Sequence, residues 1–186
     1  GQEILEDMIL NKERTHHIFY VISETLVGVY RVWERYTGNV VRNLKFTDCT
    51  AAMLSPELYE EFLVYHNNLE ASKLGAKTTC VHSCGDSTNV MKAFQRINNL
   101  SSLILGWGTD FKVARRLFPK HHITARLSPV RMQTASPQTI REDVKGIIDD
   151  AKGSGTLSIA CVGVTHGTPD CNIRAAVRAC KGSSIS

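Results

Sequence analysis

The sequence predicts an α/β fold of parallel strands joined by helices, and three observations carry that prediction. Short apolar runs of strand length alternate with amphipathic helix-length segments, recurring every 20–35 residues. Ser-Pro pairs at Ser55-Pro56 and Ser136-Pro137 mark helix starts, because serine caps the free N–H groups and proline fits the first turn. At 186 residues and 42% hydrophobic content, the chain is long enough for one domain with a full core.

The elements follow in order. Phe19, Ile22, Leu26, Val29 and Trp33 recur at steps of three and four, which predicts an amphipathic helix over 15–36 with Thr15 as N-cap and Gly38 beyond its end. Leu44 to Asp48 alternates and predicts a short strand. The helix opened by Ser55 then buries Tyr59, Phe62 and Leu63. A strand at 77–84 and a helix over 86–97 follow. The unit repeats as strand 102–106 with helix 111–118, and as strand 122–127 with a helix opened by Ser136 and stopped by Gly153-Ser154-Gly155. The last strand is 157–162. Thr168-Pro169 starts a final helix to about Cys180, and residues 182–186 read as a frayed tail.

Five strands, each followed by a helix and preceded by one extra helix, imply parallel βαβ units. An eight-stranded (β/α) barrel needs about 250 residues, so this chain reads as the last five units of one, a single partial-barrel domain over 1–186. A doubly wound open sheet is the competing expectation, since five parallel strands suffice for one. In a partial barrel the outer strands keep open edges that favour self-association.

Composition excludes several classes. The 22 basic and 18 acidic residues give a net charge of +4, interspersed without long runs, which is a poor match to nucleic-acid binding. No apolar run approaches a membrane span, and the N-terminus lacks the plan of a signal peptide, so a cytoplasmic protein is expected. Gly1 in place of methionine reads as a processed or engineered start. In a reducing compartment the six cysteines are better explained by metal binding or free thiols than by disulfides.

The chemistry concentrates in Cys80-Val81-His82-Ser83-Cys84-Gly85. Alternation along a strand puts His82 and Cys84 on one face, at the carboxyl end where α/β folds place their sites. An isolated His-x-Cys is more often core packing than metal. Cys161 shifts the balance, because it ends another predicted strand and is expected at the same rim. Three N/S donors suit Zn²⁺ and leave one tetrahedral position open, the mark of a catalytic site. Cys80 lies too far down the strand to share an ion with Cys84. Cys49 could approach the rim, although a buried free thiol is the commoner fate of such a residue. Cys171 and Cys180 read as structural. Asp48 and His166, at the carboxyl ends of the first and last strands, are candidates for orienting a ligand or contacting substrate. His121 and His122 precede their strand and belong to the opposite end. Gly106-Trp107-Gly108 lacks the third glycine of a dinucleotide fingerprint, since Phe111 stands there.

Several of these pieces together resemble one family. Asp48 after Phe46-Thr47, Leu54-Ser55-Pro56-Glu57-Leu58-Tyr59-Glu60-Glu61-Phe62, Val81-His82-Ser83-Cys84-Gly85, and the segment from Gly167-Thr168-Pro169 to Asn172-Ile173 are similar to the C-terminal part of the uroporphyrinogen decarboxylase superfamily. Within it they resemble the zinc-containing corrinoid methyltransferases of the methylcobalamin:coenzyme M type, whose zinc pattern is His-x-Cys with a distant Cys. Here 76 residues lie between Cys84 and Cys161. The resemblance covers residues 10–181 and implies a barrel with His82, Cys84 and Cys161 as zinc ligands. It departs from the family at Leu127-Ser128-Pro129, where an Asn/Asp-x-x-Pro turn is expected, and in the absence of the first three strands.

The resemblance implies one-carbon chemistry: zinc-dependent methyl transfer between a corrinoid, delivered by a carrier protein, and a small-molecule thiol or methylated compound. Two alternatives stand beside it. One is a non-catalytic fragment or interaction module that keeps the metal site. The other is a uroporphyrinogen decarboxylase-like protein, against which the metal pattern argues.

Overall fold

A computed structural model describes residues 2–182; of the tail expected over 182–186, Gly182 ends the last helix and the remainder lies outside the described residues. Helix α1 (Gln2–Leu10) and helix α2 (Lys12–Thr37) lead the chain. Strand β1 (Asn43–Thr47) is followed by α3 (Pro56–Leu58), a π-helical segment over Tyr59–Val64 and α4 (Tyr65–Leu74). Next come β2 (Thr78–Ser83), α5 (Met91–Phe94), β3 (Leu100–Leu105) and α6 (Phe111–Leu117). The chain closes with β4 (His122–Leu127), α7 (Pro129–Thr134), α8 (Pro137–Asp150), β5 (Leu157–Cys161) and α9 (Asp170–Gly182).

The strands form one parallel sheet in the order β1-β2-β3-β4-β5. That order separates the two expected folds: a doubly wound sheet reverses direction at a switch point, whereas a barrel adds each strand beside the last. The architecture is an α/β fold with the strand succession of a partial (β/α) barrel.

Register divides the sheet into two faces. Leu44, Val81, Leu103, Ile123 and Ala125 lie on the helix-covered face and are buried, forming the main core with Phe62, Phe94 and Phe118. Each such side chain contributes about 1.5–3 kcal/mol by leaving water. A second apolar cluster joins Leu127, Met132, Ile140 and Val144 to the alanine stripe of α9, Ala175, Ala176 and Ala179. Alternate residues of β2 and β4 point to the other face, which is only half buried.

The serine caps work as the sequence suggests: Ser55 and Ser136 accept hydrogen bonds from the N–H groups of Leu58 and Thr139. Ser128 does the same for Arg131, so Leu127-Ser128-Pro129 opens a helix that the periodicity did not reveal. The helix expected from Asp86 starts only at Met91, because the Asp86 carboxylate accepts from the N–H and hydroxyl of Thr88 and holds a turn.

Helix α2 differs most from expectation. Asn11, not Thr15, is its N-cap, and Thr15 is buried with its hydroxyl donating to the Asn11 carbonyl. The stripe of Ile22, Leu26, Val29 and Trp33 is exposed. The side it packs on the core runs instead through Thr15, Phe19, Ser23, Val27 and Tyr30, and Lys12 to Glu61, Lys73 to Glu24 and the Arg31 guanidinium to the Lys73 carbonyl join the helix to the π-helical segment and α4. Ser23 is drawn inward beside Glu70.

Candidate metal centre

The register pairs Thr47 with His82, and the ladder continues as the Asp48 N–H donates to the His82 carbonyl at 2.8 Å. Two residues on, Cys49 and Cys84 stand side by side just beyond their strands, with 2.9 Å between their sulfurs. His82 Nε2 lies 3.3 Å from Cys84 Sγ. The donor atoms of Cys49, His82 and Cys84 all fall within 4.8 Å of one another.

The chemistry of this set fits Zn²⁺. Tetrahedral bonds of 2.0–2.3 Å place neighbouring N and S ligands about 3.5–3.8 Å apart. The His82–Cys84 edge already matches, and the two sulfurs need only spread by less than about 1 Å. His82 is held below its ordinary pKa by burial and by the charges of Arg126 and Lys45, so its imidazole is neutral and able to ligate at pH 7. Its Nδ1 is buried without a partner.

Arg126, on β4, reaches the same spot. Its Nη1 lies 3.0 Å from Cys84 Sγ and 3.2 Å from His82 Nε2, while its buried Nε has no partner. Burial pushes the Cys84 thiol up, but hydrogen bonds from Cys49 and Arg126 and the guanidinium charge outweigh it and bring it below the usual thiol range. Cys49 moves the other way, raised by burial and then by its sulfur neighbour. None of the five strands contains an aspartate or glutamate.

Asp48 sits directly behind this cluster. It belongs to the helix-covered face with Leu44 and Phe46, and accepts hydrogen bonds from the Tyr59 hydroxyl at 2.5 Å and from Asn67 Nδ2 at 3.1 Å. Burial outweighs those two bonds and raises its pKa. The π-helical segment, a form that recurs beside functional sites, carries Tyr59 into this contact. Asp48 therefore anchors the backbone from which Cys49 projects.

Cys161, expected as the third ligand, is placed elsewhere. It pairs with Leu127, so it shares the helix-covered face and packs in the second cluster near Cys180. Burial and the nearby Cys180 raise its thiol pKa. A strand's faces alternate residue by residue, and the end of a strand does not by itself say which face a side chain takes. His166 is exposed in the loop after β5. Cys80 stays outside the cluster, as expected from strand rise.

Nothing in the sequence marked Arg126, and Gly106 stood out only as part of an incomplete dinucleotide fingerprint. Arg126 enters through strand register, being two residues beyond Thr124, which pairs with Ile104 and through it with His82, and local alternation alone could not place it. Gly106 follows β3, and a Cβ there would overlap the carbonyl groups of Cys84 and Gly85. The glycine serves close backbone approach at the site, not a dinucleotide.

A parallel α/β half-barrel with a Cys-His-Cys cluster at the carboxyl ends of its strands defines the class. The family model for Uroporphyrinogen decarboxylase (URO-D) matches residues 1–183, and the chain belongs to that family. Among solved structures, a methyltransferase from Methanosarcina mazei superposes with a TM-score of 0.71 at 16% identity, over 97% of this chain and 53% of that one. The chain thus spans about half the length of that protein. No curated protein matches it. No helix among the described residues is long and apolar enough to cross a membrane.

Proposed function

We propose that this chain carries the metal site of a zinc-dependent, corrinoid-linked methyltransferase, with Cys49, His82 and Cys84 as ligands. The observation that supports it is the convergence of those three donors at the catalytic end of the sheet in a chain of this family. Bound there, Zn²⁺ would supply Lewis acidity that keeps a substrate thiol ionised near neutral pH. The chain's own residues do the rest. His82 offers a neutral nitrogen, Cys84 a thiolate favoured by Arg126, and Asp48 with Tyr59 and Asn67 fixes the end of β1 that presents Cys49. Arg126 places a positive charge beside Cys84 and His82. A methylated corrinoid, brought by a carrier protein, would supply the methyl group. The outer strands β1 and β5 are where a second copy would associate.

The test is metal analysis joined to turnover. One zinc per chain, lost in Cys84→Ala, and methyl transfer from methylcobalamin to a thiol support the reading. Transfer from methylamines or methoxylated aromatics to cobalt(I) would reverse its direction. A purified chain without metal would sink it. The half-length match favours a second reading, a module that holds metal without turning over; stoichiometric zinc with neither transfer activity would select it.

A further inference from the structure

The two sulfurs of the cluster are also placed for chemistry with each other. Cys49 and Cys84 lie two residues beyond the Thr47–His82 pair, each in the turn or bend that follows its strand, and their sulfurs meet on the same side of the sheet. Strands in a sheet lie about 4.7–4.9 Å apart, within the roughly 4.4–6.8 Å between Cα atoms that a disulfide bridges. The sulfurs already approach to 2.9 Å, and Cys49 is exposed to solvent. The other neighbouring pair, Cys161 and Cys180, is half-buried in the second cluster.

We propose that Cys49 and Cys84 are a reversible oxidation site, which a peroxide closes into a disulfide and so strips two of three donors from the metal. Metal release rests on the functional reading above; disulfide formation does not. A thiolate of the pair attacks one peroxide oxygen, the O–O bond breaks, and hydroxide leaves while the sulfur becomes a sulfenic acid. The second thiolate attacks that sulfur, the S–S bond forms, and the S–O bond breaks with loss of a second hydroxide. The two thiol protons convert both hydroxides to water. Two thiols lose two electrons, one peroxide gains them, and a dithiol reductant reverses the change. Closure leaves His82 as the one remaining donor of the set, too few to hold an ion. Oxidation therefore empties the site.

The experiment treats chelator-stripped and zinc-loaded protein in parallel with one equivalent of hydrogen peroxide, followed by digestion without reductant. The expected product is a Cys49–Cys84 linked peptide, lighter by two hydrogen atoms than its parts, in both samples. The loaded sample should pass its zinc to a chromogenic chelator as the link forms, and dithiothreitol with added zinc should restore it. Cys84→Ser should lose the link, and Cys161→Ala should keep it. Unlinked sulfenic or sulfinic acid on either cysteine, or a Cys161–Cys180 link forming first, would overturn the proposal. Retention of zinc by the linked protein would overturn the release step. A protein that takes up no zinc would fail the functional reading alone, since the stripped sample still decides the disulfide.

Discussion

Arg115 and Arg126 sit at opposite ends of the same half-barrel, and their surroundings divide stability from chemistry. Arg115 is buried below the amino ends of β4 and β5. Its Nε donates to the Ala151 carbonyl at 2.8 Å, Nη1 to His121 at 2.9 Å and Phe118 at 3.2 Å, and Nη2 to Thr156 at 3.0 Å. It ties the end of α8 to the turns that enter both strands, and burial lowers its pKa. Arg126, at the carboxyl end, faces a thiol and an imidazole, with one buried nitrogen unpaired. A guanidinium saturated by carbonyls is a structural rivet. One that faces a thiol and an imidazole instead tunes the candidate metal donors.

Breaking the rivet should give the largest effect. Arg115→Ala leaves several buried carbonyls without a donor, and we expect a loss of about 3 kcal/mol or more in urea unfolding. Arg115→Lys should recover little, because three ammonium donors cannot reproduce the planar fork. Zinc affinity of the molecules that remain folded should be unchanged.

Gly106→Ala should come next, with a different signature. The new Cβ collides with the carbonyls of Cys84 and Gly85, so the strand end that carries the proposed ligand Cys84 must move. A stability loss of about 1–3 kcal/mol should accompany a zinc affinity weakened by about tenfold or more, measured by competition with a chelator. An unchanged affinity would show that Cys84 is not placed through this contact.

Arg126→Gln should change stability by less than about 1 kcal/mol and act on reactivity instead. Removing the cation that favours its thiolate should raise the Cys84 pKa, moving the pH profile of alkylation of metal-free protein upward. A profile that stays put would mean that Cys49 alone governs this thiol.

The smallest effects are pH slopes. Buried Asp48 has a raised native pKa, so its stabilising contribution is full below the ordinary aspartate range and is lost as pH climbs through that raised value. Asp48→Asn should flatten this decline. His66, buried and held down to about 4 by desolvation and then by His16, has the opposite sign. Its contribution is full above its ordinary value near 6.5 and fades as pH falls toward 4. His66→Gln should remove that second slope in unfolding measured across the acid range.

The succession of strands and helices was legible because period and capping are local properties: Ser55 and Ser136 cap as their sequences imply, and strands 122–127 and 157–161 stand where alternation put them. The rotation of α2 was not. Its exposed Ile22, Leu26, Val29 and Trp33 form the better apolar stripe, yet the helix packs its Phe19, Val27 and Tyr30 side on the core, where its neighbours Glu61 and Lys73 lie some forty to fifty positions away in sequence. The same division runs through the site. His82 and Cys84 could be paired by local alternation alone, whereas Cys49 joins them through the register of β1 against β2, a contact across 35 residues. Cys161 illustrates the converse, since the resemblance in sequence implied it as a ligand while its parity on β5 places it with Leu127.

The proposed site therefore turns on whether Cys49 or Cys161 is its second sulfur ligand. X-ray absorption at the zinc edge, on the zinc-loaded protein and on Cys49→Ser and Cys161→Ser, counts the sulfurs around the ion. Two sulfurs are expected in the parent and in Cys161→Ser, and one in Cys49→Ser. Two sulfurs in Cys49→Ser with one in Cys161→Ser would contradict the proposed site.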